Sequence, residues 1–488
     1  MAAGPARAAP PPAADLALLD ALTWGANATS YAALAAQGRE AWLAAQLRPG
    51  GPSVLPPAVQ ARIDAGQPSG ELLDRLAALD AQAKAANALS DPEAKKAAQS
   101  AYQGALNDAL RRSVSDTILR ALYAPDQIRE RMTWFWFNRF SVYQGKANVR
   151  AMVGDYLDTA IRPHALGRFR DLLGATLEHP AMLRYLDNAE NAAGRLNENY
   201  ARELMELHTL GVGGGYTQHD VEDLARILTG AGIEVRPEHP KLKPELQGAL
   251  VRRGPFLFNP ARHDFGEKIL LGHPIRGRGF AEIAEALDIL CRHPATARNV
   301  TRAMAAYLLG HPPSDALVDR LAGVFGRTDG DIAAILDVLV HAPEFQAGLG
   351  TGFKDPMRYV LSAVRLAYDD RVILNTGPVQ GWLGRLGEGL FNRSTPDGYP
   401  LDAAAWNGPG QLTTRFEIAR QIGGGPAGLF KPPMPDAVEE PAFPLLQNRL
   451  YFGALAATLT GQTRAALGRA TSPQDWNTLF LSSPEFMR

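Results

Sequence analysis

The chain is sparing with cysteine. One residue in 488, Cys291, carries a thiol, which excludes an intramolecular disulfide framework and any thiolate-rich metal site. It sits in the apolar run Ile289-Leu290-Cys291 and reads as a small core residue, so cysteine usage fits an exported protein as well as a cytoplasmic one. No apolar run approaches the roughly 20 residues a membrane-spanning helix needs. A formal net charge of -1 gives no bulk attraction to nucleic acid or anionic membrane. The glycines at Gly213, Gly214 and Gly215 are not followed by Gly-Lys-Ser/Thr, so a phosphate-cradling P-loop is excluded. The first fourteen residues, MAAGPARAAPPPAA, contain no apolar signal-peptide core and read as a disordered Ala/Pro-rich arm.

What is present is a large hydrophobic supply, 46 % of residues, arranged mostly with helical period. The predicted fold is mostly α, a large multi-helix globular domain over residues 15–488, with a small antiparallel β element around 233–278. Residues 15–125 read as N-terminal helices and a helical hairpin, 126–346 as the core with the candidate site, and 347–488 as C-terminal helices with a tryptophan-bearing loop. In more detail, Ala14 to Gly50 reads as two amphipathic helices and Pro52 to Pro68 as a linker. Residues 70–122 form a hairpin laid across the core, its second helix capped by Ser90.

The most informative stretch is LNENYARELMELHTLGVGGGYTQHDVEDLARILTGAGI, Leu196 to Ile233. On a helical wheel Leu196, Tyr200, Leu204, Leu207 and His208 share one apolar face. Glu198, Arg202 and Glu206 form an i, i+4 ladder on the opposite, solvated face. Glu203 falls at the edge of the apolar face, where a bare carboxylate would cost several kcal/mol to bury. Two readings follow: a structural Glu bonded to Arg, Tyr or backbone, or a general acid or base with a raised pKa. Gly211 stops the helix, and Thr217-x-x-Asp220 starts the next one as a capping pattern, which makes Asp220 more a cap than a ligand.

Elsewhere, Arg129 to Lys146 holds Trp134, Phe135, Trp136 and Phe137 in a row, so that helix is deeply buried or lines a pocket. Its polar pair, Asn138 and Arg139, needs partners if enclosed. His179-Pro180, His293-Pro294 and His311-Pro312 read as helix starts, which argues against these histidines as metal ligands. His263-Asp264 precedes Lys268 on a predicted loop, a pair able to coordinate a divalent ion or relay a proton. LVHAPEFQ and LFLSSPEFMR echo each other, each ending in Pro-Glu-Phe with the phenylalanine tucked onto the core. The turn-rich segment 387–416 carries Trp406, and a loop of that length is functional or pinned.

These blocks together resemble the bacterial family catalogued as domain of unknown function 1800. The resemblance runs through Trp42 and Gln46-Leu47, Trp136 to Phe140, Glu198-Asn199-Tyr200 with Arg202-Glu203-Leu204, Gly211 with Tyr216 and Asp220, and His263-Asp264 with Lys268. It continues through His293-Pro294, Lys354-Asp355-Pro356, Asp397-Gly398, Trp406 and Arg415. It implies an exported protein, periplasmic or secreted, whose proline-rich start follows a lost signal. It also implies a partnership with an exported phosphatase- or sulfatase-like protein. It implies no reaction and no cofactor. The family often has Asn-His where this chain has Asn138-Arg139, so Arg139 is expected at most to bind an anion.

The leading functional expectation is an extracytoplasmic acid/base hydrolase acting on a polymer such as glycan or peptidoglycan. Glu203 would donate the proton, with Asp264 or Asp220 as second carboxylate. Arg202, Arg139, Asn138 and His263 would bind substrate, and Trp134, Trp136 and Trp406 would be stacking surfaces. The alternative is a non-catalytic scaffold for the phosphatase-like partner. A third is a metal-dependent enzyme built on His263, Asp264 and a neighbouring Glu.

Overall fold

The computed structural model describes residues 13–66, 70–236, 238, 240–432 and 436–488. The expected arm, residues 1–14, therefore lies almost wholly outside the described residues. Helix accounts for 62 % of the chain and strand for 4 %, which makes the fold mostly α. A single cluster of buried apolar side chains runs from Leu16 to Met487 and draws on the N-terminal, central and C-terminal segments alike. No helix among the described residues is long and apolar enough to cross a membrane.

Three helices, Ala13–Leu22, Ala28–Gln37 and Arg39–Leu47, occupy the stretch read as two, because Gly38 at φ +80° breaks the second. The proline-rich stretch read as a linker contains the helix Pro57–Gly66, which buries Val59 and Ile63. Leu72–Ala88 and Pro92–Tyr123 form the hairpin. Asp91, not Ser90, caps its second arm, accepting from the Ala94 N–H at 2.7 Å. The far half of that 32-residue helix is anchored through Leu106, Val114, Ile118, Leu119 and Leu122. The Ala-, Lys- and Gln-rich half from Pro92 onward offers Tyr102, partly buried against the core.

The aromatic helix Gln127–Arg139 is buried on every side through Asn138. Trp136 packs edge-on to Phe135 at 4.7 Å between ring centres, and Trp134 stacks on Phe137 at 5.5 Å. The helix Pro356–Tyr368 is equally enclosed. Two of the His-Pro pairs start helices as expected. His179 and His293 each use Nδ1 to accept the N–H two residues on, from Ala181 at 3.1 Å and Ala295 at 3.2 Å. His311-Pro312 does not; that helix, Asp315–Arg327, is capped by Ser314. Phe345 and Phe486 of the two Pro-Glu-Phe echoes are both buried.

The β element is two small antiparallel sheets. Strands β1 (Ala231–Ile233), β2 (Val251–Arg253) and β3 (Phe256–Phe258) make one sheet in the order β1-β3-β2; β4 (Lys268–Leu270) and β5 (His273–Ile275) make the other. The β4 edge is covered by carboxylates of the helix Gln218–Ile227. Asp223 accepts from the Ile269 N–H at 2.7 Å, and Asp220 from the Leu271 N–H at 2.7 Å.

Candidate functional site

The organising helix begins at Asn199, three residues later than its apolar spacing predicts. Arg195 to Glu198 form a loop in which Asn191 Oδ1 accepts the Asn197 N–H and Asn197 Oδ1 accepts the Asn199 N–H, both at 3.0 Å. Leu196, expected on the buried face, is therefore 41 % exposed. After Glu203 the helix widens into a π turn, Leu204–His208, closed by the Thr209 hydroxyl donating to the Leu204 carbonyl at 2.6 Å. A π turn lengthens the repeat beyond 3.6 residues. It brings Met205 into the core and leaves Leu207 half-exposed, while Tyr200, Leu204 and His208 stay buried. Gly211 follows at φ +87°.

On the outer face Arg202 bridges Glu198 at 2.9 Å and Glu206 at 3.8 Å, and reaches Gln218 at 2.9 Å. Glu203, half-buried beside this ladder, makes no hydrogen bond or ion pair among the described residues. Burial raises its pKa, and the Glu206 and Asp397 charges push the same way against Arg202. Tyr185 stands in the field of both Glu203 and Asp397, its pKa pushed up to about 12 chiefly by burial. Tyr216 bonds to Glu206, and it too is raised to about 12, by burial first and then by that bond.

Asp397 arrives from almost 200 residues away. Its loop is fixed by the Tyr185 hydroxyl donating to the Ser394 carbonyl at 2.9 Å, and by Asn138 pairing with Tyr399 as a strand neighbour would. Asn138 Nδ2 donates to the Tyr399 carbonyl at 2.9 Å, and the Tyr399 N–H donates to Asn138 Oδ1 at 2.6 Å. Gly398, at φ +73°, is pressed so close to Asn138 that a β-carbon would run into the Asn138 carbonyl oxygen. Arg393 grips both Asp397 oxygens, at 3.0 and 2.9 Å, and Thr395 bonds to one of them. Burial acts to raise the Asp397 pKa, but these bonds outweigh it and hold the carboxylate below its ordinary value.

The other carboxylates proposed as Glu203's companion are placed elsewhere. Asp264 pairs with Arg226 at 2.8 Å, and its pKa is lowered mainly by that bond. Asp220 caps its helix, accepting the Thr217 N–H at 2.8 Å as well as the Leu271 N–H. Neither is among the groups that set the ionisation of Glu203. His263 is wholly buried, with Nε2 2.9 Å from Glu282 and Nδ1 2.8 Å from the Thr229 carbonyl; Lys268 Nζ holds the other Glu282 oxygen at 2.5 Å. Both ring nitrogens are engaged and an ammonium sits on the carboxylate, so these groups are joined as an internal ion-pair network. Among the described residues no three His, Cys, Asp or Glu side chains are placed to hold a metal ion.

The three tryptophans expected as stacking surfaces are buried, each indole N–H spent on an internal acceptor: Trp134 on Glu388, Trp136 on the Ala165 carbonyl and Trp406 on the Pro400 carbonyl. Asn138 is a loop clamp, and Arg139 reaches the far side of the helix, where Nη2 donates to the His208 carbonyl at 3.5 Å. Of the predicted site residues, Glu203, Arg202 and, through its loop, Asn138 serve one place. Tyr185, Arg393 and Asp397 were not foreseen there. The Asp397-Gly398 and Tyr216 positions carried part of the family resemblance, which was the one signal available for them.

No curated protein and no solved structure matches the chain. A family model does, over residues 17–488, nearly the whole sequence. The chain belongs to the family described as Protein of unknown function (DUF1800).

Proposed function

We propose that the Glu203 cluster is the acid/base centre of a hydrolase acting on an extracytoplasmic polymer such as glycan or peptidoglycan. The observation that carries the reading is a pair of neighbouring carboxyl groups pushed in opposite directions: Glu203 toward its protonated form and Asp397 toward its ionised form. Such a pair divides the labour of acid and base within one site. Glu203 gives its proton to the leaving oxygen as the bond to carbon breaks. Asp397 takes a proton from the water that attacks that carbon, and exchange with solvent then restores both groups. Arg202 and Arg393 would orient anionic groups on the substrate. Because the tryptophans are enclosed, Tyr216, half-exposed beside Glu206, would take the stacking role against a sugar face. Asp397, Ser394 and Thr395 are exposed, so the site is open to a chain lying across it. Export of the protein belongs to this reading and is tested by fractionating the cells that make it.

The decisive variant is Glu203→Gln in the full chain, assayed for release of reducing ends from peptidoglycan and neutral polysaccharides. Turnover is expected to fall about 10²- to 10⁴-fold, the usual worth of a general acid, with a melting temperature no lower than the parent's. Undiminished turnover would sink the proposal.

A second reading has its own support. Phe416, Phe443, Leu445 and Phe452 of the C-terminal segment are 43–70 % exposed, which suits a scaffold docking an exported phosphatase- or sulfatase-like protein. Co-purification of the two proteins, abolished by Phe452→Ser with Leu445→Ser, is the expected result; a pair that never associates would retire this reading.

A further inference from the structure

The seam between the first helix and the C-terminal segment holds a hollow that the hydrolytic reading does not use. It measures about 270 Å³, and Leu16, Ala17, Leu366, Leu455, Leu459 and Phe480 form its apolar wall. Leu16, Leu366, Leu459 and Phe480 are 2–4 % exposed, so the space is recessed among core side chains instead of lying on the surface. Protein interiors are close-packed and seldom keep a void larger than one water. Two other interior hollows obey that rule: the one beside Met132 and the one beside Thr133 are about 10 Å³ each. No residue around the large hollow belongs to the Glu203 cluster. Its wall is also a place where the backbone departs from regular helix. Leu455 ends a π turn, Tyr451–Leu455, a distortion found often at functional sites.

We infer that this hollow takes the aliphatic chain of a fatty acid or single-chain lipid. The class follows from which lining groups are already engaged. Lys354, 3 % exposed, donates to the Phe486 carbonyl at 2.8 Å, meets Asp20 at 3.1 Å and lies 4.3 Å from the centre of the Phe486 ring. The second Asp20 oxygen faces Arg358 at 3.3 Å. Glu485 accepts the Thr460 N–H and the Thr463 hydroxyl, both at 2.8 Å. The recessed charges thus answer one another. An ion entering the hollow would exchange its water for leucine and phenylalanine and find no free counter-charge. An alkyl chain loses nothing of that kind and gains by leaving water. Length follows from volume: a methylene is about the size of a water, whose share of liquid volume is about 30 Å³, so roughly eight to ten carbons fill the space. Thr458, Thr460 and Arg488 are exposed and line the open end, where a polar head stays hydrated.

The test uses the full chain, titrated by calorimetry with sodium hexanoate, octanoate and decanoate below their micelle-forming concentrations. Each buried methylene is worth about fourfold in affinity, so Kd should tighten about 15-fold for every two carbons added. Tetradecanoate should gain little over decanoate, because chain beyond the hollow stays in water. Ala17→Phe fills the space from the first helix and should weaken decanoate about tenfold or more, as the loss of two methylenes does. Decylphosphocholine, at equal chain length, tells a lipid tail from a free acid, and saturable binding of either supports the inference. Crystals soaked in 10-bromodecanoate should show an anomalous peak against Leu16, Leu455 or Phe480. Affinity that ignores chain length, decanoate binding that survives Ala17→Phe, or a bromine map without a peak in the hollow would each overturn the inference. The bromine map decides even if Ala17→Phe fails to fold.

Discussion

Glu203 and Glu282 are both carboxylates set among apolar side chains, and the chain treats them oppositely. Glu282 is fully enclosed, with every oxygen spoken for: His263 and the backbone N–H groups of Arg278 and Gly279 on one, Lys268 on the other. Burial pushes its pKa up, yet the His263 and Lys268 bonds win and hold it below the ordinary value. Glu203 is half-buried, carries no bond among the described residues, and sits above the ordinary value because burial and two like charges outweigh Arg202. Completeness of pairing, more than the apolar setting, separates Glu282, which holds the fold together, from Glu203, whose carboxyl is left without a partner among the described residues. The His263-Asp264-Lys268 motif, attractive as chemistry in sequence, falls on the structural side of that line.

The largest expected effect tests the enclosed partner. Lys268→Met removes the ammonium from Glu282 and leaves a buried carboxylate with half its compensation. Breaking a buried pair in this way costs about 3–5 kcal/mol. Urea denaturation should show a loss of that size. A loss under about 1 kcal/mol would mean the network contributes no more than a surface ion pair does.

Acid titration sharpens the contrast through its sign. Glu282 ionises more readily folded than unfolded, so its contribution is complete above the ordinary value near 4.5 and is lost as pH falls through the depressed folded value. Glu203 holds its proton longer when folded, so the stability it contributes is complete below about 4.5 and is lost as pH rises through the elevated folded value. Subtracting the stability curve of Glu203→Gln from that of the parent should therefore leave a downward slope just above pH 4.5. One proton sets a ceiling of about 1.4 kcal/mol per pH unit, and solvent screening of a half-exposed group keeps the slope well beneath it. An upward slope in that window would place Glu203 with Glu282.

How far these differences were legible in the sequence follows from the range of the interactions. The His179 and His293 caps, the Thr217-Asp220 capping box and the enclosed aromatic helix are local, set by residues within a turn of one another, and all are as the sequence predicts. Glu203 was recognisable as an awkward carboxylate because its wheel position needs only its neighbours. Its companion was not. Asp397 acts on the charge of Glu203 from a loop pinned by Asn138 and Tyr185, and no spacing rule links positions so far apart. The π turn also defeats a wheel drawn at 3.6 residues, which is why Leu207, expected on the apolar face, is half-exposed. Asp223, on an ordinary amphipathic helix, is 2 % exposed because it answers the Ile269 N–H of a strand edge that periodicity does not reveal.

The smallest effect asked of the molecule is on Arg202, the cation whose charge acts on Glu203. Arg202→Gln breaks two i, i+4 bridges whose side chains are about one-third exposed, so the stability cost should be a few tenths of a kcal/mol. Its electrostatic consequence is directional. Arg202 is the group that lowers the Glu203 pKa against burial, Glu206 and Asp397, so its removal should move the Glu203 titration, followed by carboxyl carbon NMR, further upward. A variant that titrates higher yet unfolds almost as the parent does would show the two properties uncoupled at this site, as they cannot be at Glu282. If Arg202→Gln instead costs as much stability as Lys268→Met, then Glu203 is held by a network after all and the division between the two carboxylates dissolves.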